Sequence, residues 1–311
     1  MGRSSNQHPN IFVSLVDLMK LEPLAKGFSF LARKQKVRSI LGGQHASKLR
    51  GRGLDFEEVR NYVAGDDIRN IDWKVTARTQ KTHSKVFTEE KEKPALIIVD
   101  QSKSMFFGSK HKTKSVVAAE LAALAAFKVL KDGDRVGGVV FADNGIDIVF
   151  PKRDRKNILR FLEKIVSRNQ ELESSTPVDF DSALKEVFAK TRNIVSHDFL
   201  IVIISDFLRY APETIKHITY LARHNDVILA KVFDPFEREI PQAKLIVGNQ
   251  SHQSVLKGNQ KSIRKKFQEG FDNDYMKFEA EMKKHRIPLF SIETFTEIDV
   301  QLKEILMKPR R

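Results

Sequence analysis

Asp100, Ser102 and Ser104 stand on alternate positions directly after the apolar run Leu96 to Val99. All three side chains end in oxygen, the donor type that a hard divalent cation such as Mg²⁺ prefers. A second apolar run, Phe199 to Ile204, ends in Ser205 and Asp206. Between the two runs lies a hydroxyl-rich stretch, Ser174-Ser175-Thr176-Pro177, ahead of a helical pattern. If the two runs are neighbouring strands, both acids and three hydroxyls converge on one sheet edge. That set suits Mg²⁺, which keeps several waters and needs few protein oxygens, and it leaves a position open for an acidic group from a partner. The same residues have a structural reading, because Ser can cap a helix and Asp often begins a turn.

The elements that must position these residues follow from hydrophobic periodicity. Strand 95–100 is a short apolar run of the kind buried on both faces of a sheet. Helix 113–131 is rich in alanine and meets a helix stop at Gly133. The runs 135–141 and 146–150 flank Asp143-Asn144-Gly145, a hairpin signal. Helices 154–167 and 179–190, strand 199–204, helix 212–224 and strand 226–233 follow. The pattern closes with an irregular stretch 235–260, the long polar helix 261–285, strand 288–293 and helix 297–307. Strands alternating with helices predict an α/β fold whose sheet is doubly wound and mostly parallel, with one antiparallel strand. Residues 94–311 form that domain. Residues 1–93 read as a smaller α+β addition, with an amphipathic helix over 11–32 interrupted at Pro23, and short strands in 54–93.

Composition narrows the function classes. The chain has 311 residues, 41% hydrophobic and 30% charged, with no cysteine. Disulfides, thiolate metal sites and cysteine nucleophiles are therefore excluded. No apolar stretch is long enough to span a bilayer, and the first residues lack the apolar core of a secretory signal, so a cytoplasmic location is expected. The net charge of +14 suits an acidic partner and makes a basic nucleic-acid-binding protein the rival reading. Against it, the basic residues are spread along the chain and are not interleaved with aromatics. Enzyme readings find little support. No second Asp stands at Ser102 to make a haloacid-dehalogenase pair, no phosphate-binding Gly-Lys-Ser/Thr loop occurs, and His83 and His111 lie in polar stretches without an orienting partner.

The residues carry a resemblance. From Ala95 to about Ile305 the chain resembles a von Willebrand factor A-type domain. Asp100-x-Ser102-x-Ser104 matches its metal-ion-dependent adhesion site, Ser-Ser-Thr176-Pro resembles its threonine loop, and Ser205-Asp206-Phe207 resembles its Thr-Asp-Gly. Upstream, Gly53 to Lys74, with Arg60, Gly65-Asp66-Asp67, Arg69 and Asp72-Trp73, resembles the signature of the bacterial domain of unknown function 58 family. The resemblance implies a non-enzymatic, cation-dependent protein-interaction module working with a MoxR-type AAA+ ATPase in maturation or assembly of other complexes. It also implies a metal, Mg²⁺ or another divalent ion such as Ca²⁺ or Mn²⁺. Ser102, Ser104 and Thr176 would hold it directly, while Asp100 and Asp206 act largely through water. The Arg60–Trp73 block is expected to be a buried polar cluster with Trp73 in the core, its alternative being a docking face.

Overall fold

Alternate side chains of one strand decide how the domain is layered. In Ala95–Asp100 every position is buried. Ile97 and Val99 join the apolar cluster on one side of the sheet, and Leu96 and Ile98 join that on the other. A strand whose two faces are both covered has no polar face to alternate with, which is why its sequence is an unbroken apolar run.

A computed structural model describes residue 8 and residues 10–27, 54–89, 93–175, 180–208, 212–248 and 253–307. In chain order the first elements are α1 (Leu15–Met19), β1 (Leu54–Asn61), α2 (Trp73–Thr79), β2 (His83–Glu89), β3 (Ala95–Asp100) and α3 (Lys114–Lys131). Then come β4 (Val136–Ala142), β5 (Gly145–Lys152), α4 (Arg155–Glu171), α5 (Phe180–Ile194), β6 (Leu200–Ser205) and α6 (Pro212–Ala222). The remainder is β7 (Asp226–Phe233), β8 (Lys244–Gly248), β9 (Gln253–Lys257), α7 (Lys261–Lys284), β10 (Leu289–Glu293) and α8 (Ile298–Met307).

The central sheet has six strands in the order β10-β7-β6-β3-β4-β5. Only the β4–β5 pairing is antiparallel. This is the α/β, doubly wound, mostly parallel architecture that the periodicity predicts. The stretch expected to be irregular before the long helix contains the antiparallel hairpin β8–β9. In the β4–β5 turn the positive φ falls on Gly145, at 145°. Helix α3 is buried nearly throughout, from Lys114 to Val129. It packs on the sheet, α1, α4 and α8, and its alanines allow that close approach from several directions. Gly138 answers a similar demand: a Cβ there would come within 2.0 Å of the Phe161 ring.

Packing separates the chain into two units, 1–35 with 93–311, and 36–92. The expected boundary at residue 93 is therefore only one of two, and the segment grouped as a single addition is divided between units. Val13, Leu18 and Ala25 belong to the core beside α3, so the first described segment is part of the α/β unit. Its helix is short, and Pro23 lies in a 3₁₀ turn, Glu22–Gly27.

In the second unit β1 and β2 pair antiparallel, and a 3₁₀ turn (Ile68–Asn70) and α2 lie between them in sequence. Trp73 is 69% exposed, which overturns its expected core position. The polar block is not a buried cluster either. Asp66 accepts from Val63 N at 3.0 Å and Arg60 Nη2 at 2.7 Å, and Asp67 accepts from Arg69 N at 3.0 Å. Asp72 caps α2 through Lys74 N and Val75 N. These carboxylates cap successive tight turns, and local capping explains their density without burial.

Candidate metal site at the sheet switch point

After β3 the chain builds outward through β4 to β5, and after β6 it builds the opposite way through β7 to β10. The carboxyl ends of β3 and β6 thus meet where strand order reverses, the crevice in which open α/β sheets place ligands. Asp100 ends β3 and is fully buried. One of its carboxylate oxygens accepts from Ser102 N at 2.8 Å and the other from Ser205 Oγ at 2.6 Å. The first bond folds the chain back at once into the turn Lys103–Met105. The fold-back brings the Ser102 and Ser104 hydroxyls to 3.2 Å, and Ser104 also bonds the Asp206 carboxylate.

Asp100, Ser102, Ser104 and Asp206 are therefore brought together. Thr176, the fifth expected member, lies outside the described residues. Phe207, where relatives of this motif carry glycine, has φ 52°, a conformation that favours glycine. Its buried ring stacks on Phe278 with centroids 5.1 Å apart, which gives the substituted side chain a place in the core.

Several participants were missed in the sequence. Lys114 begins α3 with its side chain 1% exposed, and its ammonium lies 3.0 Å from Asp206 and 2.5 Å from Glu237. Lys231 Nζ donates to the Asp206 carbonyl at 3.0 Å. Lys103 N donates to Asp143 at 2.5 Å, and its Nζ reaches the carbonyls of Leu172 at 2.6 Å and Glu173 at 3.1 Å. A cation at the carboxyl end of α4 suits the helix dipole and ties the serine turn to that helix. Gln101 extends the frame. Its amide donates to Ser115 O at 3.0 Å and its oxygen accepts from Asn169 at 3.0 Å, while Asn169 accepts from Val13 N at 2.9 Å. Of these, only a lysine at the amino end of a helix broke a local rule visible in sequence, because a cation there opposes the helix dipole.

The electrostatics follow from two buried acids side by side. Burial, then the Asp206 charge, pushes the Asp100 carboxyl up to about 7. Burial also works against the charged form of Asp206, but the Lys114 ammonium together with the hydrogen bonds from Leu208 N and Ser104 outweighs it and holds that carboxyl below its ordinary value. Burial raises the Glu237 carboxyl against the opposing pull of Lys114. Asp100, Asp206 and Glu237 face Lys114 and Lys231, so when all are ionised one negative charge is left over.

The residues fit a hard cation. Adjacent ligands on an octahedral Mg²⁺ with bonds of about 2.0–2.1 Å lie about 2.9 Å apart, close to the observed separation of the serine hydroxyls. The available donors are oxygens. Among the described residues no cluster of three or more His, Cys, Asp or Glu is placed to hold a metal ion, so a site here would rest on the serine hydroxyls beside the two acids.

A family model described as "Protein of unknown function DUF58" matches residues 58–276. The uncharacterized protein Rv1480 of Mycobacterium tuberculosis (strain ATCC 25618 / H37Rv) is 28% identical over 227 residues, 73% of this chain and 70% of the relative. Uncharacterized protein Mb1516 of Mycobacterium bovis matches to the same extent, 28% over 227 residues. Two solved structures overlap it more loosely. The conserved hypothetical protein BatB from Bacteroides thetaiotaomicron has a TM-score of 0.38 at 15% identity, covering 68% of this chain and 94% of that one. The SpRpn10 VWA domain has a TM-score of 0.36 at 13% identity, covering 68% and 94%.

Proposed function

Since the chain belongs to the DUF58 family and has a von Willebrand A-like α/β fold, we propose that it is a divalent-cation-dependent protein-interaction module and not an enzyme. The observation that carries this reading is the pair of serine hydroxyls 3.2 Å apart beside two buried carboxylates at the switch point of the sheet. Ser102 and Ser104 hold Mg²⁺, or Ca²⁺ or Mn²⁺ in its place, with Thr176 as the third protein oxygen. Asp100 and Asp206 act through water and set the local negative charge. The bound ion supplies a Lewis-acidic position that a Glu or Asp of the partner fills. Asp100 positions the turn that presents both hydroxyls, and Lys114 keeps Asp206 ionised. No histidine is needed for this role, and His83 is engaged locally with Thr79 and the Lys81 carbonyl. The partner we assign is a MoxR-type AAA+ ATPase in the cytoplasm.

The test is calorimetric titration of Mg²⁺ and Mn²⁺ into wild type, Ser102→Ala and Asp100→Ala, with capture of the ATPase measured in parallel. Saturable binding by wild type alone, with capture lost in EDTA, supports the reading. Equal metal binding by all three proteins would sink the site. Metal binding without cation-dependent capture would sink the docking role.

A further inference from the structure

A groove of about 1090 Å³ opens between α6 and α7, on the face of the sheet opposite α3. Its apolar walls include Phe207, Ile215, Phe267, Phe271, Tyr275 and Phe278. This is the size and lining of a small-molecule site, in which an apolar body is buried and a few polar groups fix orientation.

The polar group is Lys231, which also lines the groove. It is 5% exposed, and its ammonium lies 5.3 Å from the centre of the Phe271 ring and 5.6 Å from that of Tyr275. It donates to the Asp206 carbonyl at 3.0 Å, and among the described residues no carboxylate forms an ion pair with it. The other buried lysine beside it does have such a pair, Lys114 with Asp206 at 3.0 Å. Asp206, Glu237 and Asp274 act on its charge without a direct ion pair, and the ammonium donors left after the Asp206 carbonyl are suited to an anion. Two of the acids along the groove have their charge engaged elsewhere, Glu237 by Lys114 at 2.5 Å and Glu281 by Lys284 at 2.7 Å. Asp274 adds one negative charge to the wall, and Lys216, Lys266 and Lys277 add three positive ones.

Gly270 is an independent sign. It lies within α7, where glycine costs about 1 kcal/mol relative to alanine. A Cβ there would meet nothing within 4 Å, so no protein contact requires the glycine. It lines the groove, and its missing side chain leaves the helix backbone open to close approach by a ligand.

We propose that the α6–α7 groove binds an apolar carboxylic acid, with its carboxylate at Lys231 and its hydrocarbon body along the α7 aromatics over Gly270. The groove adjoins the metal site through Lys231 and Phe207, but binding of an acid there does not depend on the metal-dependent docking reading.

The test is calorimetric titration of dodecanoate and of dodecan-1-ol, each below its aggregation limit, into wild type, Gly270→Phe and Lys231→Met. Wild type is expected to bind the acid at least tenfold more tightly than the alcohol. Gly270→Phe fills the groove and is expected to lose at least tenfold in acid affinity with a melting temperature no lower than that of wild type. Lys231→Met is expected to bind acid and alcohol equally. Absence of saturable dodecanoate binding by wild type overturns the proposal, as does equal wild-type affinity for acid and alcohol. Undiminished binding by Gly270→Phe places the acid elsewhere and also overturns it. Should Lys231→Met not fold, the acid–alcohol comparison on wild type and the Gly270→Phe result decide the matter.

Discussion

The Lys114 ammonium lies 3.0 Å from the Asp206 carboxylate, and each of these side chains is 1% exposed. A buried pair of this kind gains little over apolar packing, but removing one partner strands the other charge. Lys114→Met is therefore expected to cost about 3–5 kcal/mol in urea unfolding, because it leaves Asp206 and Glu237 without their cation. A loss below about 1 kcal/mol would mean that the lysine is not what neutralises them.

Gly138 faces the Phe161 ring with no room for a methyl group. Gly138→Ala is expected to destabilise by about 1–3 kcal/mol through overpacking. Adding Phe161→Leu should recover part of that loss, so the double mutant is less damaged than the sum of the single ones. Strict additivity in chemical unfolding would count against the contact.

Asp147 on β5 meets Arg168 at 2.7 Å and Lys164 at 3.1 Å, both on α4. Burial would raise its carboxyl, but these cations outweigh it and hold it below the ordinary value of 3.8. The folded state thus keeps this carboxylate ionised where the unfolded chain protonates it. Its stabilising contribution is full above the unfolded value and is lost as pH falls through the folded one. Asp147→Asn should be less stable than wild type at pH 6, with the gap closing as pH falls below the ordinary carboxyl value of 3.8 and through the lower folded one. A gap that is the same at pH 6 and pH 2.5 would refute the ion-pair origin.

Trp73 is the only tryptophan of the chain, so intrinsic indole emission reports on one exposed position. Acrylamide is expected to quench it nearly as freely as a short tryptophan peptide. Strong protection in the isolated protein would contradict the exposure, while protection appearing only with a partner would mark that face as a contact.

Much of the site could be read in advance because its members obey strong local rules. Asp100 and Asp206 follow apolar runs that can only be buried strands, and Ser102 and Ser104 lie within two residues of one another. Their convergence needs only that the two strands be neighbours. Lys114 and Glu237 are far apart in sequence, and although a lysine at the amino end of a helix is an oddity, nothing local says that the two meet at Asp206. The polar block from Arg60 to Trp73 misled for a different reason. Dense Asp and Arg can mean buried pairing or serial capping, and composition does not distinguish them. The place of residues 10–27 in the larger unit was hidden as well, since it depends on Asn169 receiving Val13 N and on Leu18 fitting beside an alanine helix.

That placement changes the status of the smaller unit. Residues 36–92 are entered from the α/β unit and return to it, which makes them a guest inserted in a host and not a leader in front of one. A chain begun at residue 94 would lack a piece of the host's own interior, including the backbone group that Asn169 holds.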